Sequence, residues 1–470
     1  MMIGIEQRRS DNVLHRLGAT AEIASETAMD ELMRITACML GSQIPASLAH
    51  QAVLGIEMDL LGQGWPVGRS LGALPTVRTR LGLGRPAFRE AITILEARGL
   101  LDVRRGPGGG LFVAAPALED VVGAVLMYLA RTGETFAPID EFRLLVWRMI
   151  VNAAVQRGVS PPSAVTTSDK WGFAVDLAER TGNTTMALLA TLAEMLVRTS
   201  SQANAPARDA VLEAAIKQHD LVGAFDRLDS LAGPNGQEST IVTLEVAEHA
   251  FSLSGRKSAM ALAARMTHEL TVRGGTQEAE WETAERLGYT DAVVRQARRI
   301  LQDFGIVRCR QGRKGAELAP PTAPTGVIRL LAPLLMASAM SASDEKEAIA
   351  FLVGEGSVLA ARLVKAGRAM PVKRFPLVPL PDAFEGLALE NLLLELSGNP
   401  LLAIVVRSLG VASIFAAADP LPPMELRDVN AINRRILQAI EAGDVGAVGT
   451  LSRIKTEIMQ RPAENYRRVA

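Results

Sequence analysis

The stretch "LGLGRPAFREAITILEARGLLDVRRGPGGGLFV", residues 81–113, is written a second time 206 residues further on, as "LGYTDAVVRQARRILQDFGIVRCRQGRKGAEL" from residue 287. At that offset Leu81, Gly82, Arg89, Ala91, Ile94, Leu95, Gly99, Gly106 and Gly109 meet Leu287, Gly288, Arg295, Ala297, Ile300, Leu301, Gly305, Gly312 and Gly315, all identities, and Val103 meets Cys309. The material behind each copy rhymes too. "ERTGNTTMALLATLAEML" resembles "ELSGNPLLAIVVRSLGVA", aligned on Gly182-Asn183 and Gly398-Asn399, and "AAIKQHDLVGAF" is followed in the same way by "QAIEAGDVGAVG". A repeat this long points to duplicated domains and not to a solenoid of small units.

The 470 residues exceed what one hydrophobic core usually supports, so several domains are expected. The repeat and the Pro/Ala-rich seams near residues 114–118, 232–239 and 319–326 divide the chain five ways: an N-terminal helical extension over 1–48, a head over 49–116, a helical body over 117–235, a second head over 236–321 and a second body over 322–470. Apolar residues make up 48% and aromatics only 4%, so the cores must be built from Ala, Leu, Val and Ile, which favours packed helices. A net charge of −1 excludes a general polycation; any affinity for nucleic acid must come from local patches. Two cysteines, Cys38 and Cys309, make neither a disulfide framework nor a four-cysteine zinc site, and fit a reducing cytoplasm. The N-terminus carries Glu6, Arg8, Arg9 and Asp11 where a signal peptide needs an apolar run, and "LLAPLLMASAM" is too short to span a membrane.

Within the first copy, Phe88, Ala91, Ile92 and Leu95 recur at i, i+3, i+4 and i+7, which predicts a helix over Pro86–Arg98. Arg85 and Arg89 lie four apart on another face near its N-terminus, where unpaired backbone N–H groups attract anions. Gly99 stops the helix. "LLDVRR" and "LFVAA" then read as two short strands joined by "GPGGG", a hairpin whose tip has no side chains to hold the backbone away from a groove. Upstream, Gln51–Leu61 and Thr76–Leu81 read as helices. Helix, helix, arginine helix and two-stranded wing is a winged helix-turn-helix order. Eight basic residues between Arg69 and Arg105 stand against three acidic ones, and eight between Arg286 and Lys314 stand against two.

At these residues the chain resembles the GntR family of bacterial transcription regulators, whose signature L-G-V-S-R-x-P-V-R-E-A-L and glycine-rich wing are similar to "LGLGRPAFREAI" and "RRGPGGGLFV". The resemblance covers about 65 residues in each head; the bodies resemble the effector-binding domain of the FadR branch weakly, through the Gly-Asn turns. It implies a mainly α fold of two winged helix-turn-helix domains, each followed by an all-α helical bundle. It also implies that Arg85 and Arg89 contact operator DNA and that the wing around Gly108 and Gly109 approaches the minor groove or the backbone. Arg78, Arg80, Arg104 and Arg105 complete the candidate contacts of the first head; Arg295, Arg299, Arg310, Arg313 and Lys314 are those of the second.

The chain departs from the family pattern in places. The Ser-Glu-Arg that opens the family's second helix falls on Ala73, Leu74 and Pro75, and in the second head Asp291 replaces the first signature arginine while Arg298 takes the place of apolar Ile92. A carboxylate facing phosphate is repulsive, so three outcomes stay open for the second head: weak binding, a different sequence, or docking. Relatives in the FadR branch hold a metal through an Asp and three His. Those positions fall on Lys170, Ala174, Asp209 and Leu231 in the first body and on Gly386, Glu390, Asn433 and Lys455 in the second. No histidine lands on any of them, and the five histidines, at 15, 50, 219, 249 and 268, are scattered, so no metal and no cofactor are expected. The helix "DEFRLLVWRMIVNAA" and an amphipathic stretch over residues 20–40 read as packing elements.

The expectation is a cytoplasmic, two-headed regulator that binds double-stranded operator DNA, with a small-molecule effector as an option for the bodies, as an intramolecular pseudo-dimer or a homodimer. Its rival is a ligand-binding or scaffolding protein whose heads serve as protein-interaction modules. No nucleophile, paired-carboxylate or metal constellation points to catalysis.

Overall fold

The computed structural model describes residues 47–162, 172–200, 209–231, 240–254, 258–272, 279–309, 316–319, 324–338, 340–368, 382–416 and 423–459. The stretch expected to be amphipathic over 20–40 lies outside the described residues. The described residues are mainly helical, with nineteen helices and five short strands. Contacts sort the chain into two compact units that interleave in sequence. The first takes the described residues up to Glu134 together with Ile241–Ser338; the second takes Thr135–Thr240 and the residues after Ser338.

The first unit opens with α1 (Leu48–Gly62), β1 (Ser70–Gly72), α2 (Leu74–Arg80), α3 (Arg85–Ala97), β2 (Leu101–Arg104), β3 (Gly110–Val113) and α4 (Leu118–Thr132). On its return the chain adds α10 (Leu244–Leu253), α11 (Ser258–Val272), α12 (Glu280–Leu287), α13 (Asp291–Asp303), β4 (Val307–Cys309), β5 (Ala316–Leu318) and α14 (Thr325–Ala337). Helices α3 and α13 both have 13 residues and start 206 apart, as the sequence offset requires. Helices α4 and α14 lie beyond the sequence boundaries at 116 and 321, and they belong to this unit.

Helix α3 forms where its apolar period puts it. Phe88, Ala91, Ile92 and Leu95 are buried, along with Ile94, and each large side chain so buried stabilises the fold by about 1.5–3 kcal/mol. The helix ends in a left-handed glycine: the Gly99 N–H donates to Glu96 O at 3.1 Å and the Leu100 N–H to Leu95 O at 2.9 Å, which satisfies two otherwise orphaned carbonyls. Gly305, with Ile306, ends α13 in the same way. The chain then pairs β2 with β3, Leu101 opposite Val113 and Arg104 opposite Gly110. A third strand, β1, which the sequence did not announce, pairs with β3 on its other side. In the second segment β4 and β5 form a two-stranded sheet.

Helix α1 packs on α3, α11 on α13, and α3 on α13. Helix α4 packs on α10 and α14; Gly123 makes room there, because a Cβ at that position would lie 2.6 Å from the Phe251 ring. Four charged side chains close the centre of this unit. The Arg98 guanidinium donates to Glu57 Oε1, to Asp303 Oδ2 at 2.9 Å and to the Arg329 carbonyl at 2.9 Å. Arg329 in turn donates from Nε to Glu57 Oε2 at 2.7 Å and from Nη2 to Asp303 Oδ1 at 3.1 Å. Two cations and two anions, from α1, the end of α3, α13 and α14, thus neutralise one another in the interior. Arg98 is therefore no part of a surface charge patch, although it is one of the eight basic residues between Arg69 and Arg105.

The second unit comprises α5 (Ala137–Arg157), α6 (Phe173–Thr181), α7 (Thr184–Ser200), α8 (Ala210–Lys217) and α9 (Leu221–Leu231), with α15 (Ala342–Lys365), α16 (Asp382–Leu396), α17 (Pro400–Ala416), α18 (Pro423–Glu441) and α19 (Val445–Met459). Helix α5 is the hub of the first five and α15 of the last five, and the two sets meet where α5 touches α15 and α17 and where α15 touches α7. The Gly-Asn turns of the sequence sit at this meeting. Asn183 caps α7, its Oδ1 accepting from the Met186 N–H at 2.9 Å, while its Nδ2 donates to Glu347 Oε2 at 2.8 Å on α15. Asn399 caps α17, accepting from the Leu402 N–H at 3.0 Å, while its Nδ2 donates to Glu141 Oε2 at 2.8 Å on α5. The contact is exchanged, copy for copy.

Candidate nucleic-acid interface

The N-terminus of α3 carries two exposed arginines, Arg85 and Arg89. Gly84 precedes it in extended conformation and offers no side chain to cap the first N–H groups. Pro86 fixes the first turn. Arg85 and Arg89 are exposed and, among the described residues, make no side-chain hydrogen bond or ion pair. Arg78 and Arg80 stand in the last turn of α2, and Arg80 is exposed. Asp59 on α1, which feels Arg80 and Arg69, is half-buried; burial raises its carboxyl, against the pull of Gln63, Arg80 and Arg69.

The hairpin carries the next cations. Arg104 lies over the Phe112 ring at 4.0 Å, and Arg105 is exposed beside it. The glycines of the tip are required by geometry. Gly108 has φ +75°, and a Cβ on Gly109 would come within 2.5 Å of the Arg104 carbonyl oxygen. Only a chain without a side chain closes this turn.

The second segment places its candidates differently. Arg295 donates from Nε to Glu280 Oε2 at 2.9 Å, Arg298 approaches the same carboxylate at 3.7 Å, and Arg286 pairs with Glu269 at 2.6 Å. Arg299 pairs with Glu90 on α3 at 3.2 Å, and Gln296 donates to the Thr93 carbonyl at 3.5 Å. Residues 296 and 299 are the counterparts of 90 and 93, so each helix offers the same two positions to the other, as in an isologous contact. Asp291 is exposed at the start of α13. Arg310, Arg313 and Lys314 lie outside the described residues.

Sequence reasoning missed Glu280, Glu282 and Glu285. They line α12, upstream of the window that opened at Arg286, and the signal was present in "EWETAERL". Counted over the helices that the structure defines, α2 and α3 carry four arginines against two acids, whereas α12 and α13 carry four against five. With Asp303 buried in the quartet, the α12–α13 face is left with four against four, neutral where the α2–α3 face is cationic.

In the second unit, the described positions compared with a metal site hold one contact among them, between Lys455 and Glu390. Ala174 is buried, Asp209 caps α8 and is held by Arg227, and Leu231 is exposed; Lys170 lies outside the described residues. Lys455 Nζ donates to Glu390 Oε1 at 2.6 Å, and Asn433 on α18 is fully buried without a side-chain hydrogen bond among the described residues. Among the described residues no three His, Cys, Asp or Glu side chains gather in a geometry that holds a metal, and no helix is long and apolar enough to cross a membrane.

Compared with known proteins, the chain matches no family model, no curated protein and no solved structure.

Proposed function

We propose that this protein is a DNA-binding transcriptional regulator of GntR type, in which two winged helix-turn-helix heads and two helical bodies are fused in one chain as an intramolecular pair. One observation carries the reading: Arg85 and Arg89 stand exposed and unpaired, among the described residues, at an uncapped helix N-terminus, between the arginines of α2 and a glycine-tipped hairpin. A helix of 13 residues is about 20 Å long, so its first turn enters a major groove while the hairpin reaches the adjoining backbone. The guanidinium groups would read base edges or phosphates, and the helix dipole adds to their attraction.

Support for the fused pair comes from the exchanged contacts, Glu90 with Arg299 and Thr93 with Gln296 in one unit and the two Gly-Asn turns in the other. A chain that supplies its own partner needs no second copy to present two heads. The same contacts favour, for the second head, the rival role of a protein-interaction module.

Titration of the full chain into labelled duplexes drawn from genomic fragments tests the reading. Arg85→Ala with Arg89→Ala is expected to weaken binding tenfold or more, about 1.4 kcal/mol. Equal affinity of variant and parent removes it.

A further inference from the structure

The two heads are paired by symmetry of contact but not by charge, and this carries a consequence for what the chain reads. We infer that duplex contact is confined to the first head, and that the second is a docked, non-reading partner, so the preferred target is a single half-site and not an inverted repeat. This rests on the DNA-binding reading above and sharpens it.

Three substitutions, followed along the repeat, remove the anion-binding character. Arg85 becomes Asp291, so a carboxylate stands at the helix N-terminus that in the first head carries a guanidinium. Arg78 becomes Ala284, which is buried, and Leu74 becomes Glu280, which lies between Arg295 and Arg298. An ion pair as exposed as Arg295–Glu280 is worth little and does not by itself lock the arginine away. Glu280, however, stays beside the arginine and offsets its charge. Glu280, Glu282, Glu285 and Asp291 would all approach a phosphate backbone that the α12–α13 face was brought against, and their repulsion offsets the gain from Arg295. Arg299, the other candidate among the described residues, is directed into the contact with Glu90.

The docking contact also fixes which face each head shows. Positions 90 and 93 of α3 and their counterparts on α13 face one another, and the quartet of Glu57, Arg98, Asp303 and Arg329 lies behind them. Arg85 and Arg89 remain on the accessible side of α3. The second head thus orients the first without sharing its task.

The experiment starts from duplexes selected by the full chain from a random pool, and measures protection and affinity on the selected site. Protection of one half-site is expected, with no gain in affinity when that half-site is duplicated as an inverted repeat. Arg85→Ala should weaken binding tenfold or more, whereas Arg295→Ala, and a separate Arg310→Ala/Arg313→Ala/Lys314→Ala variant, should stay within twofold of the parent. Protection of two symmetric half-sites, or an effect of either second-head variant as large as that of Arg85→Ala, overturns the inference while leaving DNA binding intact. Failure of the parent to enrich or retain any duplex overturns the DNA-binding reading, and this inference with it. Arg85 and Arg295 are exposed, so neither substitution is expected to disturb folding.

Discussion

Asn183 and Asn399, 216 residues apart, do the same thing to each other's half of the chain: each caps its own helix and donates an amide hydrogen, at 2.8 Å, to a glutamate on the leading helix of the other copy. The acceptors, Glu347 and Glu141, are themselves 206 residues apart. A contact that is exchanged in this way is the mark of an isologous interface, here closed inside one polypeptide.

Replacing either asparagine by alanine removes a helix cap and strands a buried amide site. Each substitution should lower stability by about 1–2 kcal/mol, and by similar amounts. Urea unfolding of Asn183→Ala and Asn399→Ala reads this directly. A large loss at one position and none at the other would show that the two contacts are not equivalent.

The buried quartet should be far more sensitive. Arg98→Met leaves Glu57 and Asp303 with a single cation between them, and breaking a buried pair from one side costs about 3–5 kcal/mol. Exposed Arg105→Met should stay within about 0.5 kcal/mol of the parent. Burial opposes the ionisation of Asp303, but Arg329 and Arg98 outweigh it and hold its carboxyl below the usual carboxylate range. Its folded pKa is depressed, so its contribution is fully present above the ordinary carboxylate value near pH 4 and is lost as pH falls below that through the folded pKa. Acid titration monitored by near-ultraviolet dichroism should show the Arg98→Met variant unfolding at higher pH than the parent.

Glu345 presents the opposite sign. It occupies, 206 residues on, the place of the fully buried Ile139, and one of its carboxylate oxygens is buried without a hydrogen bond among the described residues. Burial, with Asp344 beside it, pushes its pKa up to about 7. The folded state therefore holds a proton that the unfolded state has released above about pH 4.5, and stability falls as pH rises from there to about 7. Glu345→Gln should raise the melting temperature at pH 8 and change it little at pH 4. An equal shift at both values would show that the carboxylate ionises without cost.

Much of the first head could be read from the chain. The period of Phe88, Ala91, Ile92 and Leu95 located α3 to within one residue at each end, and "GPGGG" marked the hairpin. Strand β1 is three residues, "SLG", too short to carry an alternation. Arg98 read as one more surface arginine because its partners lie at 57, 303 and 329, and no local pattern reports a contact across 231 residues. The charge of the second head was misjudged for a different reason. The window was set by the motif, and three acids that offset half of its excess charge sit one helix earlier, at Glu280, Glu282 and Glu285. The interleaving of the two units was likewise invisible, since each half alone reads as a complete head and body.

The most direct measurement is the salt dependence of duplex affinity for the full chain, with and without Arg85→Ala/Arg89→Ala. Six arginines of the first head, at 78, 80, 85, 89, 104 and 105, give an expected slope of log affinity on log salt of about −5, falling in magnitude to about 3.5 in the double variant. A parent slope near zero, or one that the double substitution leaves unchanged, would contradict the placement of DNA on this face.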